Sequence, residues 1–187
     1  MNARTLFLSA ALLSIAPLAT ADSAFDVGLS DDSVRVGYGS FWERHELHFG
    51  ANWLHHEDDG DVVDVGLHAL GVVGQGKSEL DLGIGGRVFW VDIANRSGQA
   101  LGLGVVAAYT IPPVPRLRLA GTLHYAPDIV AFSDLEKYYE ASLSVSFLVV
   151  DRAQIYVGYR VAKAEVEGVA GRLEVDDGGH VGIRIEF

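Results

Sequence analysis

The chain has 187 residues, no cysteine, and 14 basic against 25 acidic side chains, for a formal net charge of −11. Without cysteine there is no disulfide framework, no thiolate metal site, no thiol nucleophile and no residue for lipoprotein acylation. The acidic balance argues against nucleic acid, whose binders carry a basic patch. Twenty-two glycines and few helical patterns point to an all-β chain.

At the N-terminus Arg4 precedes an apolar run from Leu6 to Leu18, and Ala19-Thr20-Ala21 supplies small residues for cleavage. That is the layout of a secretory signal peptide, so residues 1–21 are expected to be removed. The run is too short for a spanning helix, which needs about 20 residues, and Pro17 interrupts it. Removing Arg4 from the count leaves 13 basic against 25 acidic residues, a net charge of −12, on one domain from Asp22 to Phe187. No later apolar stretch suits a transmembrane helix. A membrane crossing would therefore need a closed barrel, which leaves no strand edge in lipid.

Read for period two, the rest divides into segments near the length of a tilted membrane strand. Two weaker candidates come first, Phe25 to Ser30 and Val34 to Gly39, on either side of Asp31-Asp32. Eight cleaner ones follow: Leu47 to Trp53, Val63 to Ala69, Leu80 to Trp90, Leu101 to Tyr109, Leu117 to Tyr125, Tyr139 to Phe147, Ile155 to Val161, and Gly179 to Phe187. Gln75-Gly76-Lys77, Pro112 to Pro115 and Val150-Asp151-Arg152 read as short turns. His55 to Asp61, Asp92 to Gly98, Pro127 to Lys137 and Ala164 to Asp177 read as longer loops. Outer-membrane barrels keep short turns in the periplasm and longer loops outside, which puts the C-terminus in the periplasm. A periplasmic N-terminus then requires both early strands, so ten strands are preferred, with eight as the alternative.

On the apolar face Trp53, Trp90, Tyr125 and Tyr139 fall at the expected outer strand ends, and Trp42, Tyr109, Phe147 and Phe187 at the inner ends. Two such girdles are what amphipathic rings make at two membrane interfaces. The opposite face is rich in Gly and Ser, as the inside of a narrow barrel requires, where a solvent-facing strand would carry Lys, Glu and Thr. Its charges have mixed sign and are expected to pair inside: Arg35, Arg87, Arg118, Arg160 and Arg184 with Glu46, Asp64, Asp81, Glu140 and Glu186. The last strand, with Val181, Ile183, Ile185 and the closing Phe187, resembles the terminal strand that the outer-membrane assembly machinery reads.

Several stretches resemble one family, the YfaZ-type outer-membrane proteins. They are Gly50 to Asp61, Tyr125-Ala126-Pro127-Asp128, Tyr138 to Ala141, Tyr156 to Arg160, and Asp177 to Phe187. The resemblance implies an outer-membrane β-barrel in contact with outer-membrane lipids and lipopolysaccharide. It implies no activity, cofactor or catalytic residue.

Candidate chemistry is sparse. His55, His56, Asp58 and Asp59 have the residue types of a divalent-cation loop but lack EF-hand spacing, and a solvated acidic turn is the plainer reading. His48 and His68 are expected inside at similar depth, where a hydrogen-bonded interior network is the plainer alternative to a metal or pH site. His124, Ser142 or Ser144, and Glu140 have the types of a hydrolase triad, without a Gly-x-Ser-x-Gly elbow. The apolar stretch Ile129-Val130-Ala131-Phe132 either contacts a partner or folds back to cap the barrel mouth. The sequence therefore reads as a closed antiparallel up-and-down transmembrane β-barrel, bound for the outer membrane. Its lumen is expected to be filled by side chains and its role structural or interactive. A narrow channel is the alternative, and a lipid-modifying enzyme the third reading.

Overall fold

The computed structural model describes residues 22–187 apart from 43–45, 59, 76–77, 94–95 and 170. The expected signal peptide, residues 1–21, lies outside the described residues. Eleven strands form: β1 (Asp22–Leu29), β2 (Ser33–Trp42), β3 (Leu47–His56), β4 (Gly60–Gln75), β5 (Ser78–Ile93), β6 (Arg96–Thr110), β7 (Leu117–Ala126), β8 (Ala131–Ser133), β9 (Leu135–Val150), β10 (Ala153–Val166) and β11 (Leu173–Glu186). All are antiparallel to their neighbours. Ten of them make the wall, and β1 pairs with β11 to close it. The three-residue β8 is a patch on β6. This is the ten-stranded up-and-down barrel expected from the period-two pattern, with the two weak N-terminal candidates as full members.

The register sets the shape. One outward row of paired residues runs from Glu174 through Lys163, Tyr139, Tyr125, Leu103, Gly86, Leu67, Phe49, Ser40 and Ser23, and returns to the starting strand at Phe187. Thirteen positions separate Glu174 from Phe187, and Val175 is an extra residue at a bulge opposite Ala162 and Lys163, leaving a shear of twelve. For ten strands that corresponds to a tilt of about 40°. Each residue then advances about 2.5 Å along the barrel axis, and each step to the next strand about 3 Å. The lower rim is the one carrying the C-terminus.

At the upper rim the strands run well past the expected boundaries. Most of His55 to Asp61 and Asp92 to Gly98, read as loops, is strand, because β3, β4, β5 and β6 continue in unbroken register to the turns. β4 starts at Gly60 with φ +113°, where a Cβ would collide with the Asp92 carbonyl. The Pro127 to Lys137 stretch holds a single 3₁₀ turn at Asp128–Val130 and then β8. β7 ends at Ala126, which leaves the top of β6 without a neighbour, and β8 fills that gap through Gly98–Ser133, Gln99–Phe132 and Ala100–Ala131.

Candidate functional site

The side chains inside the barrel are stacked in layers. At the top lies an apolar plug. Phe89 and Tyr138 are fully buried, their rings 4.5 Å apart, with Leu54, Val62, Val91, Ile93, Leu135, Ala162, Val166 and Val175 around them. Beneath it is a charged layer. Arg87 Nη1 lies 3.2 Å from Glu140 Oε1 and 3.6 Å from Asp64 Oδ1, all three buried. The Tyr138 hydroxyl donates to the other oxygen of Glu140 at 3.3 Å, and the Asn52 amide to Asp64 at 2.9 Å. Arg35 stands among Glu140, Asp26 and Asp64. Arg160 Nε donates to Asp176 in a buried pair, and Ser33 bridges them, 3.3 Å from Asp176 and 3.4 Å from Arg160.

From Glu140 one inward row descends the wall on successive strands through His124, Gly104, Gly85, His68 and His48 to Phe41. His68 and His124 bend toward each other over the two glycines, with 2.8 Å between their Nε2 atoms, so one donates and the other accepts. A Cβ on Gly85 or Gly104 would strike these imidazoles, so only glycine lets the rings lie against the wall. His48 lies beside His68, ring centroids 6.1 Å apart.

The lower mouth is more open. Arg118 donates to Asp81 at 2.7 Å with both side chains nearly half exposed, Arg184 donates to Asp26 at 2.8 Å, and Gln154 donates to Glu186 at 2.6 Å. Asp26, Asp176 and Gln154 are partners that the sequence reading missed. Asp26 sits in a strand with weak alternation, and Asp176 in a stretch taken for loop. Glu46, expected inside, is exposed in the turn ahead of β3, because that strand begins only at Leu47.

On the outer face the register brings Trp53 and Trp90 to either side of Val63, and pairs Tyr125 with Tyr139. These four lie within about 6 Å of one another in height. Tyr109, Phe147 and Phe187 cluster within about 5 Å, roughly 20 Å lower. The side chain of Trp42 lies outside the described residues. Between the rings the wall is apolar, including Val157, Val181, Ile183 and Ile185, all exposed.

Above the upper ring an external ion-pair cluster ties β9, β10 and the 167–172 turn. Lys137 Nζ donates to Glu165 at 2.6 Å and Arg172 Nε at 3.0 Å, and the Arg172 guanidinium lies over the Tyr139 ring. These two donors hold the Glu165 carboxyl below its usual range.

The remaining candidates do not converge. His55 Nδ1 bonds Asp61 at 3.0 Å, beside the Trp53 indole donating to the same oxygen, and the Asp58 amide donates to His56 Nδ1 at 3.3 Å. Asp59 lies outside the described residues, and among those described no three His, Asp or Glu side chains are grouped to hold a metal. His124 spends its Nε2 on His68 and its buried Nδ1 has no hydrogen-bond partner, while the Ser142 hydroxyl bonds Thr122 at 2.8 Å, so among the described residues His124 is not paired with Ser142 or Ser144.

Comparison with known proteins agrees with this architecture. The chain is 30% identical over 158 residues to outer membrane protein YfaZ of Escherichia coli strain K12, covering 83% of this chain and 82% of the relative. Among solved structures it is loosely similar to the NanC porin, with a TM-score of 0.38 and 11% identity over 89% of this chain and 97% of that one. The outer membrane channel DcaP of Acinetobacter baumannii gives 0.41 and 15% over 87% and 54%. Likenesses this loose carry no functional meaning. The family described as YfaZ precursor matches residues 3–187, and the chain belongs to it as an outer-membrane β-barrel protein.

Proposed function

We propose that this barrel is a structural or interaction element of the outer membrane with a closed lumen, working through its upper surface and its lipid contacts rather than by conduction or catalysis. One observation carries the reading: the plug of Phe89, Tyr138 and their neighbours fills the upper mouth beside buried ion pairs, Arg87 with Asp64 and Glu140, and Arg160 with Asp176. Water and ions have no room beside fully buried aromatic rings. The alternative, a narrow channel, draws on the half-exposed polar pairs of the lower mouth, and would require the plug to move.

In this reading residues 1–21 are a cleaved signal peptide, the lower rim faces the periplasm, and the two aromatic rings mark the membrane interfaces. The outward Val181, Ile183, Ile185 and Phe187 are offered to the barrel-assembly machinery. Lipopolysaccharide and other outer-membrane lipids surround the wall. Planar-bilayer recording of the purified barrel tests the central claim. Silence is expected, and stable selective conductance would overturn it.

A further inference from the structure

We propose that the segment 127–133 between β7 and β9 is an interfacial anchor, with Ile129 and Phe132 taking acyl chains of outer-leaflet lipid. The inference rests on the membrane-barrel reading of the wall. On the strands above the upper aromatic ring the outward positions are polar, among them Asp92, Gln99, Lys137, Lys163, Glu165 and Glu174, and Val169 in the β10–β11 connection is 37% exposed. Ile129 and Phe132 break that rule, at 87% and 59% exposed.

Their placement says what covers them. Through β8, Phe132 pairs with Gln99, which pairs with Trp90, which pairs with Val63 and so reaches Trp53. Phe132 therefore ends the outward row that holds both tryptophans of the upper ring, about 6 Å higher than Trp90. Ile129 lies between the end of β7 at Ala126, next to Tyr125 of the ring, and the start of β8 at Ala131. The apolar patch is thus continuous with the lipid-facing wall. The backbone suits the interface too: the 3₁₀ turn closes on itself, Val130 N–H donating to Pro127 at 3.0 Å, and β8 is hydrogen-bonded to β6. An isoleucine and a phenylalanine at this depth gain by burial at the boundary between headgroups and acyl chains. The segment extends the wall outward and does not cap the mouth.

The absence of cysteine makes single-site labelling direct. Ile129→Cys, Phe132→Cys, Leu103→Cys and Glu174→Cys would each carry an NBD fluorophore on the full barrel, folded into phosphatidylethanolamine–phosphatidylglycerol vesicles with or without shallow doxyl-labelled lipid. Heat-modifiable gel mobility checks folding of each. At 129 and 132 the expected result is blue-shifted emission that the doxyl lipid reduces about twofold, as at 103, while 174 stays aqueous. If 129 and 132 behave like 174 and are quenched by iodide while 103 is quenched by lipid, the anchor fails alone. Protection of those two sites only in whole cells would assign them to a protein partner and equally overturn it. If 103 is also aqueous, the barrel reading of the wall falls with it.

Discussion

Below the upper aromatic ring this barrel is apolar outside and polar inside; above it the polarity inverts. Strand β10 shows both regimes in one run. Its lower outward positions are Ile155, Val157, Tyr159 and Val161, and its next two are Lys163 and Glu165. Inward, Gln154, Gly158 and Arg160 give way to Ala162, Ala164 and Val166. β4 and β5 switch likewise, with Asp61 and Asp92 outward beside inward Val62, Val91 and Ile93. The alternation of the strand is unbroken, and only its solvent changes. In hydrocarbon the outward face must be apolar and polar groups retreat inward to pair. Above the hydrocarbon the outside is water, so the narrow interior becomes the one place to bury apolar surface. On the proposed membrane placement, the molecule is a membrane barrel continuous with a small β-barrel standing in water, sharing one set of strands.

The sharpest way to break this comparison is to empty the upper core. Phe89→Ala removes a fully buried ring and is expected to cost about 3–5 kcal/mol, read by urea titration of the barrel folded in vesicles. On the closed-lumen proposal it should also produce an ion conductance that the unaltered barrel lacks. A loss below roughly 1 kcal/mol would mean that the upper interior is not a packed core. Next is the charged layer. Arg87→Met leaves Asp64 and Glu140 buried beside each other, at about 3–5 kcal/mol. Arg118→Met, in the half-exposed pair at the lower mouth, should stay within about 1 kcal/mol. Equal losses at the two arginines would contradict a lumen closed above and open below.

The inversion also explains what could be read from the sequence. Period two and the Gly- and Ser-rich face were legible because lipid imposes one polarity over the whole spanning length. The same rule misled at His55 to Asp61, Asp92 to Gly98 and Ala164 to Asp177, where polar residues took over the outward positions and looked like loop. Asp176 was missed for that reason, although it forms the buried pair with Arg160. The His68–His124 contact was not legible either. The two lie three strands apart, and only the register, by lining them up across Gly85 and Gly104, brings them together.

A gentler comparison uses one strand and one kind of charge. Val157 faces outward near mid-height of the apolar band, and Lys163 faces outward on the same strand above the ring. Val157→Arg is expected to cost about 2–4 kcal/mol in vesicles, whereas Lys163→Arg should be near neutral. If Val157→Arg were as mild as the change at 163, the outer wall between the rings would not be in contact with hydrocarbon.

The smallest expected effect is one of pH, confined to the upper region. Glu165 accepts from Lys137 and Arg172, and its carboxyl is held below the ordinary 4.5. A depressed acid contributes stability that is complete above the unfolded value and lost as pH falls through the folded one. Lys137 and Arg172 are shifted upward, so both stay protonated throughout the acid range and their own titration would loosen the cluster only in strong base. Lowering the pH from 7 to 5 should therefore leave the β9–β10 tops unchanged, and loosening should begin only below about pH 4.5. Because the cluster lies at the surface of the upper rim, the loosening stays local: faster hydrogen exchange at residues 164–169, corrected for intrinsic rates, with no change at residues 154–160 of the same strand. Glu165→Gln should remove the pH dependence and leave those amides loosened at every pH. If residues 154–160 loosened together with the top, the two halves of β10 would be one cooperative unit, and the boundary at the aromatic ring would be chemical without being mechanical.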